Sequence, residues 1–517
     1  MRRKHLWIAP CLLVAIAVIA ALGAGETGKA APLRQPPASA EACADWRWIG
    51  ISRPGAQCPA PPAGWKRAPL FPELRRPDYA AKAGKNVPGR EVIQELERFC
   101  VYEIEDPRRG AAASALAAGL ERLDRDCAAL SIAADPGPAA EAARLRDEIF
   151  PSQVGLGVPL KIANEKGVRL AFLDTHPTGD GAPKTQGDAP LHGFTLTRLA
   201  TRIVCPEGRC AARITTRLAL PIRDFDAGRR GNQIEKDRGG YIGLQGDLAQ
   251  AIQAEVDAWQ RDPSQRHLVL NLSLAWDGRI LDGLTEKQIG EMRAGTQAVF
   301  RALQYAAGYD ALVLAAAGNQ KRKPCRNDGP LLPAAWEASG ARTGKPLLYA
   351  VGAVASDGER LVNARRGGMP RRAAFGIFPS PDNKGGEPGA ILVGSSVSTA
   401  VVSSIAAVVW DSFPDLESRQ VMSILDGSEK ELGYDADFWF GPGAPPRVHW
   451  LSLCKSLQAA CKGRSPCPLA SDCPVVAPVE DISSKLLASP GAQGSCRPWV
   501  MPQPEIDPCP VCPPRKN

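Results

Sequence analysis

Four apolar runs, at 168–173, 267–274, 311–317 and 346–354, are each long enough for a buried strand, and the intervals between them carry helical patterns. Leu248, Ile252, Val256 and Trp259 recur near helical spacing in one interval, and Met292, Val299, Leu303 and Ala306 do so in another. Strands that alternate with helices join in parallel through right-handed crossovers. The expected fold is therefore α/β, a mainly parallel sheet with helices on both faces. Ligands of such sheets gather in the crevice beyond the carboxyl ends of the strands, so the residues just after each run are the first candidates for chemistry.

The first run ends in Asp174-Thr175-His176-Pro177, which puts a carboxylate at a strand end. A hydroxyl candidate comes later. Gly394-Ser395-Ser396-Val397-Ser398-Thr399-Ala400 follows the apolar stretch Ala390-Ile391-Leu392-Val393 and opens an apolar helical pattern through Ser404, Ile405, Val408, Val409 and Trp410. A small-residue loop lets backbone crowd a hydroxyl, and a helix starting at Ser396 turns unpaired amides and a positive dipole end toward an anion formed there. The same pattern also serves as an ordinary turn before a helix, so Ser396 needs partners.

The 517-residue chain holds five histidines, His5, His176, His192, His267 and His449, which narrows the choice of base. His5 lies in a targeting segment, and His267 opens an apolar run, where a strand-edge role is expected. His176 is a local loop histidine or a rival base. His192 is favoured because Gly193 beside it gives close backbone access. Asn319, after Gly318, reads alone as a turn residue, but the run before it delivers it to the same sheet end as the other candidates.

Asp174, His192 and Ser396 follow one another in the order of the subtilisin triad. The chain resembles the subtilisin-like serine peptidases in Leu173-Asp174-Thr175, His192-Gly193 and Gly394-Ser395-Ser396. Further matches are Asn271-Leu272-Ser273-Leu274, Leu314-Ala315-Ala316-Ala317-Gly318-Asn319 and Tyr349-Ala350-Val351-Gly352-Ala353-Val354, over roughly Val158 to Ser452. The resemblance implies that Ser396 is the nucleophile, His192 its base and Asp174 the group that orients the imidazole. It also implies an oxyanion site from the Asn319 amide and the Ser396 backbone N–H, and substrate contacts at Ser273, Leu274, Ala275 and Gly318. An exported serine endopeptidase acting on polypeptides is the function implied. The alternative is a catalytically inactive domain that binds peptides or envelope proteins, and a third reading is an esterase using the same nucleophile. Departures from the family pattern are His176 in place of a glycine, Phe194 in place of a small hydroxyl residue, Ser395 in place of a threonine and Ala400 in place of a proline.

Met1-Arg2-Arg3-Lys4-His5 and the apolar run to Leu22 resemble an export signal, so residues 1–30 are expected to be a signal peptide or an amino-terminal anchor. The expected location is secreted or periplasmic, with membrane association only if that segment is retained. Fourteen of the fifteen cysteines lie beyond it, an even number that suits disulfides in an oxidising compartment. Cys205 and Cys210 suggest a local bridge. Residues 31–150 form an accessory or propeptide-like region, expected to be helical and stapled by Cys43, Cys58, Cys100 and Cys127. Residues 151–452 form the peptidase-like domain and 453–517 a Cys-rich tail, in which Cys509-Pro510-Val511-Cys512 could instead bind metal or exchange thiols. The net charge of +8 is spread over short basic blocks, including Arg365-Arg366 and Arg371-Arg372 in an expected solvated loop, without the aromatic-lined stripe of a nucleic-acid site. No cofactor or catalytic metal is expected. A structural calcium ion would suit the family, but no acidic loop has its ligand spacing.

Overall fold

The computed structural model describes residues 43–75, 90–105, 116–117, 119–130, 139–162, 167–176, 178–180, 192–223, 234–239, 242–276, 286–319, 329–337, 346–361, 363–365, 369–381, 388–428, 431–432, 448–469 and 472–473. The export-signal segment and Cys496, Cys509 and Cys512 lie outside the described residues.

The amino-terminal region is helical at α1 (Arg90–Glu97) and again between Ala139 and Val154, and it also holds an antiparallel sheet that the sequence reading did not anticipate. Its strands are β1 (Cys43–Ser52), β2 (Trp65–Pro69), β3 (Phe99–Ile104) and β4 (Leu120–Leu130). Alternation of side chains in β3 explains why it is two-sided: Phe99 and Val101 join one apolar cluster with Ile49, Ile51 and Leu96, while Cys100 and Tyr102 join a second with Cys58 and Trp65. Disulfides Cys43–Cys127 and Cys58–Cys100 cross-link it.

The main sheet follows with β5 (Val168–Asp174), β6 (Ala212–Leu218), β8 (His267–Leu272), β9 (Leu312–Ala316), β10 (Tyr349–Val354), β11 (Arg372–Phe375) and β12 (Val448–Trp450), while the short β7 (Ile242–Leu244) pairs instead with β4. These seven strands pair in parallel in the spatial order β12-β11-β10-β9-β8-β5-β6, with two-residue antiparallel edges at Glu431–Leu432 and Gly179–Asp180. Helices α2 (His192–Val204) and α5 (Ser395–Ser412) share a core with Leu170, Phe172, Val269 and Leu314, whereas α3 (Gln245–Gln260) and α4 (Ala294–Gly308) share one with Ala171, Leu173, Leu270 and Ala315. Successive strand residues thus face opposite layers, and both layers are apolar, which is why the sequence shows continuous apolar runs rather than alternation.

The described tail is bridged by Cys454–Cys473 and Cys461–Cys467, and Cys205–Cys210 closes the local loop that the spacing suggested. Of the basic blocks expected in a solvated loop, Arg371 is exposed but Arg365 and Arg372 are buried. Arg372 is buried in β11, where it grips Asp426 through two bonds of 2.8 and 2.7 Å and also pairs with Glu337, and buried Arg365 donates to the Gly329 carbonyl. Paired carboxylates compensate the desolvation of the Arg372 guanidinium, a partnership that local sequence does not announce. No helix among the described residues is long and apolar enough to cross a membrane.

Candidate active site

Strand β5 ends at Asp174, whose main-chain carbonyl accepts the N–H groups of Ala219 and Leu220 at 2.9 and 3.4 Å and so holds the strand end against the following chain. Its carboxylate is wholly buried. Oδ1 accepts the Thr175 N–H at 2.7 Å and lies 2.8 Å from His192 Nδ1. His192 is the first residue of α2 and is also buried. The approach of this helix to β5 needs Gly193: a Cβ there would stand 2.8 Å from the His176 nitrogen and 3.0 Å from Asp174 Oδ1. The Gly193 N–H also donates to Thr175 Oγ1 at 3.0 Å, which ties the helix start to the strand end.

His176 takes another partner. Its Nδ1 lies 3.2 Å from Thr216 Oγ1, and its ring stacks on Phe194 with centroids 6.1 Å apart, so the rival imidazole and the bulky residue after His192-Gly193 pack together. His267 stacks on Trp410 and bonds the Pro414 carbonyl at 2.7 Å.

One strand over from β5, the register pairs Asn271 with Phe172, so the residue two beyond Asn271, Ser273, stands level with Asp174. Ser396 meets that point: its Oγ donates to the Ser273 carbonyl at 3.2 Å, and Ser273 Oγ lies 3.0 Å from the Ser396 carbonyl. Asn271 Nδ2 donates to Ser403 Oγ at 3.1 Å, one turn and more along α5, and fixes the helix on the sheet. Ser396 and His192 are each 2 % exposed. The hydroxyl does not bond the imidazole; His192 Nε2 is buried with no hydrogen-bond partner among the described residues.

Asn319 comes from the chain just after β9. Ser395 places it: the Ser395 N–H and Oγ lie 3.0 and 3.1 Å from Asn319 Oδ1, and Ser395 Oγ in turn accepts the Gly318 N–H at 3.0 Å. With its oxygen committed, Asn319 Nδ2 is left buried and without a hydrogen-bond partner among the described residues. Asn319 Nδ2, a donor, and His192 Nε2, the acceptor when Nδ1 donates to Asp174, thus lie buried at one sheet end without a hydrogen-bond partner among the described residues. Sequence reading noted Ser395 only as a departure from a family pattern and missed that its hydroxyl orients Asn319. Ser273, Leu274, Ala275 and Gly318 are all buried beside these groups. Among the described residues, no group of three or more His, Cys, Asp or Glu side chains is placed to hold a metal ion.

The seven parallel strands covered by helices on both faces make an α/β fold, and the chain resembles the subtilisin-like serine peptidases. Its sequence is 29% identical over 191 residues to Mycosin-5 of Mycobacterium tuberculosis (strain ATCC 25618 / H37Rv), across 29% of this chain and 33% of that protein. The chain thus spans a third of the length of that curated relative. Among solved structures, fervidolysin from Fervidobacterium pennivorans, a keratinolytic enzyme related to subtilisin, aligns with 84% of this chain and 63% of its own at 14% identity and a TM-score of 0.47. The MycP3 protease from the type VII (ESX-3) secretion system aligns with 64% of this chain and 92% of its own at 19% identity and a TM-score of 0.37. No family model matches the chain. Superpositions this loose add nothing to the site, whose chemistry rests on the residues and distances above.

Proposed function

We propose that this chain is an exported serine endopeptidase that hydrolyses peptide bonds through an acyl-enzyme on Ser396. The observation that carries the reading is the buried Asp174–His192 contact of 2.8 Å, level with a serine that heads a buried helix. His192 Nε2 takes the Ser396 proton as Oγ attacks the peptide carbonyl, and returns a proton to the leaving amine when the C–N bond breaks. Water then attacks the ester with the same base, releasing the carboxyl product and restoring the hydroxyl. Asp174 keeps the Nδ1 proton in place and stabilises the imidazolium without itself becoming protonated. Oxygen charge in each tetrahedral intermediate is met by Asn319 Nδ2 and the Ser396 N–H. For this to happen Ser396 must rotate from the Ser273 carbonyl to the imidazole, a tightening expected on substrate binding.

Residues 31–150 are read as a propeptide-like cover. Ala128, Ala129 and Leu130 of β4 pair with Leu244, Gly243 and Ile242 of β7, which uses an edge that an extended peptide could add to. That edge is close to the chemistry: a Cβ on Gly243 would stand 2.7 Å from the Leu220 Cα, and the Leu220 N–H is held by Asp174. Asp126 accepts the Gly246 N–H at 3.0 Å and Asp124 the Ala294 N–H at 2.9 Å, so carboxylates of β4 sit on the amino ends of α3 and α4, where the helix dipoles favour them.

A second reading, an inactive peptide-binding domain, draws on the Ser396 hydroxyl pointing to Ser273 and on the deep burial of the site. Casein hydrolysis separates the two. Purified protein should release peptides from casein, and Ser396→Ala should abolish this; a folded wild type that binds peptide without turnover would favour the second reading. Faster turnover of short acyl esters than of casein would indicate an esterase.

A further inference from the structure

Resting on the catalytic role proposed for Ser396, we propose that Asn363 and Arg365 are positioning residues that hold the Asn319 amide where the substrate oxygen becomes charged. Both come from the chain that follows β10. Asp357-Gly358 turns it: the Asp357 carboxylate accepts the Glu359 N–H at 2.8 Å, Gly358 has a φ of +86°, and the Ala355 N–H donates to the Glu359 carbonyl at 2.8 Å. The returning chain sets Arg360 opposite Val354, and buried Leu361 anchors it in the core that holds Val354 and Phe375.

Three successive residues then reach three parts of the oxyanion site. Ala364 bridges Asn319 in antiparallel register. Buried Arg365 donates from Nε to the Gly329 carbonyl at 2.5 Å, so residues 364 and 365 hold both ends of the stretch from Asn319 to Gly329. Asn363 Nδ2 donates to the Val393 carbonyl at 3.2 Å, and the N–H of the same peptide, on Gly394, donates to the Gly376 carbonyl at 2.8 Å. That planar unit is therefore fixed from both sides. It leads directly into Gly394, whose missing side chain leaves the room that the Asn319 amide occupies, and into Ser395, whose N–H and hydroxyl hold Asn319 Oδ1. A turn of the Val393–Gly394 peptide would carry both away from the amide. The Asn363 oxygen is buried without a hydrogen-bond partner among the described residues, so Asn363 acts here through its nitrogen.

The test is a double-mutant cycle on the full chain, read by kcat and KM on a fluorogenic casein-derived peptide and by melting temperature. Asn363→Leu removes the bond at nearly the same size and takes the partnerless oxygen with it; Arg365→Ala removes the guanidinium, and Arg365→Lys keeps a charged donor. Asn363→Leu and Arg365→Ala should each lower kcat about 10- to 10²-fold with KM little changed, up to the loss that a small misplacement of a reacting group causes. Arg365→Lys should recover most of that loss. In an Asn319→Ala background, Asn363→Leu should cost almost nothing further, because the group it positions is gone. Wild-type kcat in Asn363→Leu, or a loss that adds in full to that of Asn319→Ala, would overturn the proposal while leaving catalysis by Ser396 intact. A rise in KM alone would do the same, by placing Asn363 against the substrate. If Arg365→Ala does not fold, Asn363→Leu alone decides. A folded wild type with no turnover would overturn the catalytic reading, and this one with it.

Discussion

Asn319 lies directly over the α-carbon of Gly394, so that a Cβ built on that glycine would stand 2.1 Å from Asn319 Nδ2. Gly394 also has a φ of +147°. Gly394→Ala must therefore displace the proposed oxyanion donor or the start of α5. Overpacking of this kind costs about 1–3 kcal/mol. The variant should melt several degrees lower and lose peptidase activity; a variant with wild-type kcat and melting temperature would contradict the contact.

Removal of the donor itself is a cleaner perturbation. Asn319→Ala should lower kcat by about 10²–10³ with little change in KM, the range seen for loss of one oxyanion donor in subtilisin. Ser395→Ala removes the hydroxyl that links Gly318 to Asn319 and should lower kcat less, with Ser395→Thr restoring it. Steady-state kinetics on a peptide substrate separates the two effects, and a KM defect without a kcat defect would place Asn319 in binding instead.

Asp174→Asn should keep the fold and lower kcat by about 10⁴, because an amide at 174 no longer fixes the imidazole tautomer. His176→Ala should have no comparable effect, since His176 bonds Thr216 and stacks on Phe194. If His176→Ala were the inactive variant, the base would have been assigned to the wrong histidine.

Burial lowers the pKa of His267 below the ordinary imidazole value, with its bond to the Pro414 carbonyl opposing the shift. The unfolded chain then binds more protons than the folded one at mildly acid pH. His267 therefore contributes stability that is complete above the ordinary imidazole value and is lost as pH falls through the folded value. Melting temperature should fall between pH 7 and about 5, and His267→Phe, which keeps a ring on Trp410, should flatten that slope. Identical slopes in the two proteins would remove His267 as a cause.

Much of the main sheet was legible because its strands are buried on both faces and so appear as unbroken apolar runs; β5, β8, β9 and β10 all begin and end within three residues of the expected bounds. Strand β11 is four residues long, contains the buried Arg372 and leaves no such run. The amino-terminal sheet escaped for a related reason. In β4, Leu-Glu-Arg-Leu-Asp-Arg-Asp mixes charges into a strand whose Asp124 and Asp126 are spent on helix amino ends, partners more than a hundred residues away in sequence. Asp174, His192, Ser396 and Asn319 were singled out as candidates from strand ends, glycine neighbours and family resemblance. Their hydrogen-bond partners were not, since the choice of His192 over His176 depends on where Thr216 and Phe194 stand, and the setting of Asn319 depends on a hydroxyl 76 residues away.

Catalysis by Ser396 requires that this one serine be covalently modified with the help of His192. The most direct measurement is mass mapping of the protein after exposure to a fluorophosphonate, for the wild type and for His192→Ala. The wild type should carry a single phosphonyl adduct, on the Ser396 peptide, and the variant should react at a rate lower by orders of magnitude. A folded wild type left unmodified, or an adduct on another serine, would contradict it.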